Sequence, residues 1–182
     1  MKYCSECANI IERRIPEGDN HERDVCSVCD TIFYSNPRIV AGTLPVYQGK
    51  ILLCKRAIEP RLGYWTLPGG FMENDEGTEQ AALRETWEEA YAKVNITSLF
   101  SMISVTHISQ VHLFFLADLP TPEFSSGPES LEVALFAPED IPWQSLAFAT
   151  VEQTLRRYLD NPHPAQPHIF NISRNRLSSE PE

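Results

Sequence analysis

Residues 39–47 and 50–56 are rich in branched and apolar side chains, and Gln48-Gly49 between them predicts a tight β-hairpin turn. A loop over 60–64 leads through Trp65-Thr66-Leu67 into the pair Gly69-Gly70. From 78 to 94 the period changes to a helical one. Leu83, Trp87, Ala90 and Val94 stand at i, i+4, i+7 and i+11, an apolar stripe expected to pack on a core. Strand patterns return over 99–106 and 110–118, where Val111, Leu113 and Phe115 alternate on one face, and again over 131–136. Between them, 120–128 is a loop with three prolines. A closing helix over 147–160 offers Val151, Leu155, Tyr158 and Leu159 to the sheet, and a Pro- and Ser-rich tail from Asn161 is expected to be loosely held at its end. Strands on both sides of one helix, with a second helix closing, predict a mixed α/β sandwich.

The first 38 residues follow another rule. Cys4-x-x-Cys7 and Cys26-x-x-Cys29 are two knuckles separated by eighteen residues, the spacing of a tetrahedral four-cysteine zinc site. So short a segment buries little apolar surface and needs a metal or disulfides to hold it. Disulfides would call for export, and MKYCSECANI lacks the apolar stretch and cleavage site of a signal peptide. A structural zinc ribbon in a reducing cytoplasm is therefore expected, with bounds of 1–35 for the ribbon, 36–160 for the main domain and 161–182 for the tail. Asn36-Pro37-Arg38 reads as the hinge. The fifth cysteine, Cys54, lies in an apolar strand pattern and is expected to be a buried small hydrophobe.

Charge narrows the function classes. The 182-residue chain carries a net charge of −10, which disfavours binding to phosphate backbones and anionic lipid. Residues 1–38 hold five Lys/Arg against seven Asp/Glu, so the ribbon has no basic footprint for nucleic acid. No run approaches the roughly 20 apolar residues that span a membrane.

The acidic helix carries the chemistry. Glu85, Glu88 and Glu89 stand at i, i+3 and i+4 and share a helix face, expected to lie opposite Leu83 and Trp87. Two carboxylates about 5 Å apart repel by roughly 3 kcal/mol at an effective dielectric of 20, a cost relieved by a cation among the oxygens. Hard oxygen ligands suit Mg²⁺ or Mn²⁺ acting alongside substrate phosphates. A solvated face with an Arg84–Glu88 ion pair is the plain alternative for such a helix taken alone.

Gly70, Glu76, Arg84, Glu85, Glu88 and Glu89, in LPGGFMENDEGTEQAALRETWEEAYA, resemble the Nudix box in type and spacing. Thr86 departs from an aliphatic position, Tyr91 from a glycine, and Ala92 is small at the last apolar place. Tyr91 would bear about 1–2 kcal/mol of strain as a left-handed cap, so the helix is expected to run on to about Asn95.

The resemblance implies a Nudix-like α/β fold, a mixed β-sheet sandwiched between helices, and a homodimer. It implies metal-dependent hydrolysis of a nucleoside diphosphate linked to another moiety, with Mg²⁺ or Mn²⁺ held by Glu85, Glu88, Glu89 and the Gly69 carbonyl. Arg84 would orient the carboxylates through Glu76. The general base would be a box glutamate or an acid of GPESLE, where Glu132 is taken as the candidate and Glu129 as its neighbour. Gly69, Gly70, Arg56, Trp65 and Phe71 are the candidate substrate contacts, the aromatic rings, with Trp143 and Phe148, as platforms for a flavin or adenine. Within the family, IFYSNPRIVAG, ILLCKR, GPESLEVALF and DIPWQSLAF resemble enzymes that cleave FAD and ADP-ribose. The NADH-cleaving group instead carries SQPWPFPxS where this chain has FSMISVTHISQVHLFF. NADH pyrophosphatase activity, or nucleotide sensing without catalysis, are the other readings.

Overall fold

The computed structural model describes residues 2–173, which form two compact units parting between Asn36 and Pro37. The first is a three-stranded antiparallel sheet of β1 (Ile11–Arg14), β2 (Arg23–Cys26) and β3 (Ile32–Phe33). Its buried residues are Cys4, Pro16, Val25 and Cys26.

The second unit is built on an eight-stranded sheet. Its strands are β4 (Arg38–Tyr47), β5 (Lys50–Arg56), β6 (Trp65–Thr66), β7 (Gly69–Phe71), β8 (Asn95–Val105), β9 (Gln110–Asp118), β10 (Ser130–Phe136) and β11 (His168–Ile172). The main path runs β10-β5-β4-β9-β8-β11, with β6 on β5 and β7 on β4. The β4–β9 and β8–β11 pairs are parallel and the rest antiparallel, so the sheet is mixed. Both expected hairpins form, and Gln48 and Gly49 turn the first with positive φ.

Strand alternation gives each helix its own face. Leu113 and Phe115 of β9 pack with Ala41 of β4 and with Ala81 and Ala82 of α1 (Thr78–Ala90). Phe114 and Leu116 point the other way, into a cluster with Leu44, Val151, Leu155 and Tyr158, the last three from α2 (Ala149–Asp160). The result is a mixed sheet between two helices.

Four sequence expectations need correction. Only part of the predicted apolar stripe faces the core: Leu83 and Trp87 are 38% and 44% exposed, while Ala90 is buried with Ala81, Ala82, Thr86 and Glu89, and Val94 packs beside it. Small side chains let the helix lie close on β4, and the large ones are left outside. Thr43 and Thr86 meet there through their hydroxyls at 2.6 Å, and Thr86 also donates to the Ala82 carbonyl at 2.7 Å. The departure of Thr86 from an aliphatic residue is thus a satisfied buried polar pair.

The helix also stops earlier than expected. Tyr91 takes the left-handed conformation at φ 44° and ψ 31°, its N–H bonded to the Trp87 carbonyl, where the box pattern has glycine. Its ring meets Trp87 edge-on at 5.4 Å. The last two carbonyls of α1 are taken by the 120–128 loop: Gly127 N–H donates to Glu89 O at 3.0 Å and Ser125 N–H to Ala90 O at 2.9 Å. These donors end the helix. Tyr91→Gly should therefore be more stable than Tyr91→Ala by about 1 kcal/mol, because only glycine adopts this backbone without strain. Both variants lack the ring, so thermal melts compare the backbone alone; the reverse order, usual inside a helix, would contradict the cap.

In the segment read as a tail, His168–Ile172 adds a parallel strand to β8. The end of that tail lies outside the described residues. In α2, Leu159 is 37% exposed and leaves the packing to Val151, Leu155 and Tyr158.

Candidate active site and cysteine cluster

The acidic site is assembled where β7 meets α1. Pairing to β4 holds the glycine pair against the helix, and a Cβ on Gly70 would lie 2.5 Å from Glu85 Oε2. Only glycine admits the carboxylate there. Gln80 accepts from the Gly77 N–H at 2.7 Å and secures the start of α1.

Arg84 organises the cluster. Its Nε and Nη2 grip Glu76 at 3.1 and 2.8 Å, and Nη1 reaches Glu85 at 2.7 Å and Glu88 at 3.1 Å. Nη2 also donates to the Phe71 carbonyl at 3.1 Å, tying β7 to the helix. Glu76 in turn accepts from the Glu73 N–H at 2.7 Å. The Arg84 hydrogen bonds, helped by that N–H, hold the Glu76 carboxyl down at about 2.

The other carboxyls are pushed the opposite way. Glu89 is 6% exposed, and its Oε2 accepts from the Gly69 N–H at 3.1 Å. Burial raises it to about 8 against the pull of that N–H, with the charge of Glu85 adding to the rise. Burial raises Glu85 as well, opposed by Arg84. A carboxyl so buried ionises readily only beside a cation, and the donor set of three glutamates with the neighbouring Gly69 peptide suits a hard divalent ion. The three carboxylates are not yet closed on a common point. Glu85 and Glu88 lean on Arg84 while Glu89 leans on Gly69, and Glu88 is the most exposed of the three.

The two loop acids separate. Glu129 adds its charge to both Glu85 and Glu89, and its carbonyl accepts from the Ala57 N–H at 2.8 Å. Glu132 instead pairs with Lys55 at 3.4 Å, and the Lys55 ammonium lies over the Trp65 ring. Strand alternation turns Glu132 away from the carboxylates, which corrects its choice over Glu129.

Of the candidate substrate contacts, Trp65 is also corrected. It is 8% exposed, sits in the α2-side core and meets Phe136 edge-on at 4.8 Å, leaving no face for a planar ligand. Phe71 is 46% exposed, with the Arg38 guanidinium 4.6 Å from its ring centroid. Arg56 acts electrostatically on Glu89, donates to the Pro60 carbonyl at 2.8 Å and lies over Phe148. Trp143 carries Arg156 over its ring. Cys54 is buried, and desolvation pushes its thiol far above the usual range, so it is inert.

Sequence reasoning missed Gly127. A Cβ there would run into the Glu88 carbonyl, so glycine lets this loop press on the last turn of α1. Its signal was the GP pair before the loop acids, legible only once the helix end is known.

In the ribbon, the four sulfur atoms of Cys4, Cys7, Cys26 and Cys29 lie within 4.8 Å of one another, the one such ligand group among the described residues. Contacts of 3.6 Å for Cys4–Cys29 and 3.4 Å for Cys7–Cys26 and Cys7–Cys29 approach the edges of a tetrahedron with Zn–S bonds of about 2.3 Å. Backbone N–H groups of Glu6, Val28 and Cys29 point at the sulfurs of Cys4 and Cys26, a polar shell suited to thiolates. The cluster fits zinc.

Comparison with known proteins agrees with this geometry. The NUDIX domain family matches residues 36–159, and the Nudix N-terminal family, a zinc ribbon, matches residues 2–35. An ADP-ribose pyrophosphatase of Methanocaldococcus jannaschii is 31% identical over 121 residues, 63% of this chain and 69% of that protein. A NAD-capped RNA hydrolase of Photobacterium profundum is 27% identical over 162 residues, 85% of this chain and 58% of that protein. The crystal structure of a NUDIX hydrolase from Nitrosomonas europaea superposes with a TM-score of 0.90 at 48% identity, covering 96% of this chain and all of that one.

Proposed function

We propose, for a chain that belongs to the Nudix hydrolase family and is a pyrophosphohydrolase, that its substrate is a nucleoside diphosphate linked to another moiety, FAD or ADP-ribose, cleaved to release AMP. The observation that carries this reading is the buried Glu89 beside Glu85, on a helix whose carboxylates are tied by Arg84 to Glu76. A divalent cation bound there neutralises diphosphate oxygens and lowers the pKa of the attacking water.

The chain's residues supply the rest. Arg84 and Glu76 keep Glu85 in place, and the Gly69 N–H holds Glu89. Glu129, whose charge acts on both Glu85 and Glu89, takes the proton of the attacking water in this reading. Arg56 balances phosphate charge, and Phe71 with Arg38 offers a stacking face for a planar ring. Water adds to one phosphorus, the bridging P–O bond breaks, and two monophosphates leave.

A second reading has its own support. Several relatives are NAD-capped RNA hydrolases, and that of Photobacterium profundum aligns over 85% of this chain. FAD, ADP-ribose and NADH should therefore be compared at equal concentration with Mg²⁺, with Mn²⁺ and with chelator, reading products by chromatography. AMP with FMN or ribose 5-phosphate, at a kcat/KM above that for NADH and lost with chelator, is the expected result. A preference for NADH would move the assignment to the second reading.

A further inference from the structure

We infer that Ser130 is a positioning residue for Glu89, its hydroxyl serving as the donor that meets the Glu89 carboxylate when that side chain turns to hold a divalent cation. The inference rests on the reading of Glu89 as a cation ligand. Its motive is a buried hydroxyl with nothing to do. Ser130 is 7% exposed, and its Oγ has no hydrogen-bond partner among the described residues. Native proteins seldom leave such a group buried, and where they do a reason is called for.

Its direction is set by an irregularity in β10. Val133 and Leu135 pack on the same side as Ala90 of α1, while Ala134 and Phe136 pack on the α2 side. Continued back by twos, that alternation would send Ser130 to the side of Glu132, Ala134 and Phe136. Instead the register shifts between Ser130 and Glu132: Glu132 stands opposite Lys55 and Ser130 opposite Arg56, with Leu131 bulged out and 58% exposed. The extra residue turns Ser130 to the face of Arg56 and Cys54, beneath the last turns of α1. There the hydroxyl adjoins the Cys54 thiol without a well-formed hydrogen bond, and that thiol lies within electrostatic reach of Glu89.

The backbone around this wall is rigid. Ser130 N–H donates to the Gly127 carbonyl at 3.1 Å, and Gly127 is itself bonded to Glu89 O, so serine and glutamate are held by one short loop. Glu89 accepts one hydrogen bond among the described residues, on Oε2 from Gly69. The Ser130 hydroxyl, on the strand face beneath the last turns of α1, would add a second donor.

The test compares full-length Ser130→Ala, Ser130→Val and Ser130→Thr with Glu89→Gln. Mn²⁺ affinity is read by electron paramagnetic resonance without substrate, kcat and KM by initial rates, and folding by thermal melts in chelator. Ser130→Ala and Ser130→Val should bind Mn²⁺ about fivefold to tenfold more weakly and lose kcat by a similar factor, with KM unchanged. Their chelated melting temperatures should equal or exceed the wild type, since an unpartnered hydroxyl is removed. Ser130→Thr, the isostere of Val with the hydroxyl kept, should regain wild-type affinity. Wild-type Mn²⁺ affinity in both Ser130→Ala and Ser130→Val, with Glu89→Gln impaired, overturns the role of Ser130 alone. Wild-type affinity in Glu89→Gln overturns the cation site itself. Equal weakening in Ser130→Val and Ser130→Thr would trace the effect to packing and also overturns the inference.

Discussion

Replacing Glu89 by Gln is expected to lower metal-dependent turnover by on the order of 10²-fold or more while leaving FAD or ADP-ribose binding far less changed. The amide keeps the size of the side chain but cannot balance a cation. Glu89 is the most deeply buried of the three box glutamates, so its charge is the least replaceable by solvent. The same burial gives a pH signature. With its carboxyl raised from 4.5 to about 8, the metal-free protein binds an extra proton relative to the unfolded chain across that interval. Stability from this group is complete below about 4.5 and is lost as pH rises through about 8. Cation binding must expel that proton, so Mn²⁺ affinity should climb toward pH 8, and Glu89→Gln should flatten both profiles. Wild-type turnover in Glu89→Gln at matched Mg²⁺ would remove Glu89 from the mechanism and point to Glu129.

Loss of zinc is the second large effect to be expected. The first unit buries Cys4, Pro16, Val25 and Cys26, far too little apolar surface to hold some 35 residues against chain entropy. Structural zinc supplies roughly 10–16 kcal/mol in comparable sites, enough to decide whether the segment folds. Cys26→Ser should lower zinc from one equivalent per chain to none, abolish amide protection over β1, β2 and β3, and lower thermal stability, with no rescue by Mg²⁺. One zinc per chain retained in Cys26→Ser, measured by plasma emission, would falsify the four-cysteine site.

The parts of this molecule legible in its sequence are those fixed by local chemistry. Gln48-Gly49 announces its turn because few other residues accept that backbone, and the paired CxxC knuckles announce a metal because four thiols have few other uses in a short segment. The box glutamates are legible by their spacing along one helix. The face that helix buries is not. Periodicity favours Leu83 and Trp87, but close approach to β4 selects Ala81, Ala82 and Thr86, a choice that depends on what lies across the interface. Tyr91 hides its cap because the residue argues against the conformation, and the loop that takes the last carbonyls lies more than thirty residues downstream. The strand His168–Ile172 pairs with residues some 65 positions away, beyond any local pattern. Glu129 and Glu132 are equivalent acids in the sequence, but Glu129 lies in the turn before β10, with its charge acting on Glu85 and Glu89, while Glu132 on the strand pairs with Lys55.

The bonds from Ser125 and Gly127 to the end of α1 have a consequence for anyone recasting this scaffold. They divide the segment after β9 into a permissive half and a fixed half. Residues 120–123 can absorb insertions or a grafted sequence, since added length in an exposed loop costs little. Residues 125–130 cannot change length without pulling the end of α1 with them. A library aimed at new leaving groups should therefore randomise the first half and keep the second, including a glycine at 127, as an invariant frame.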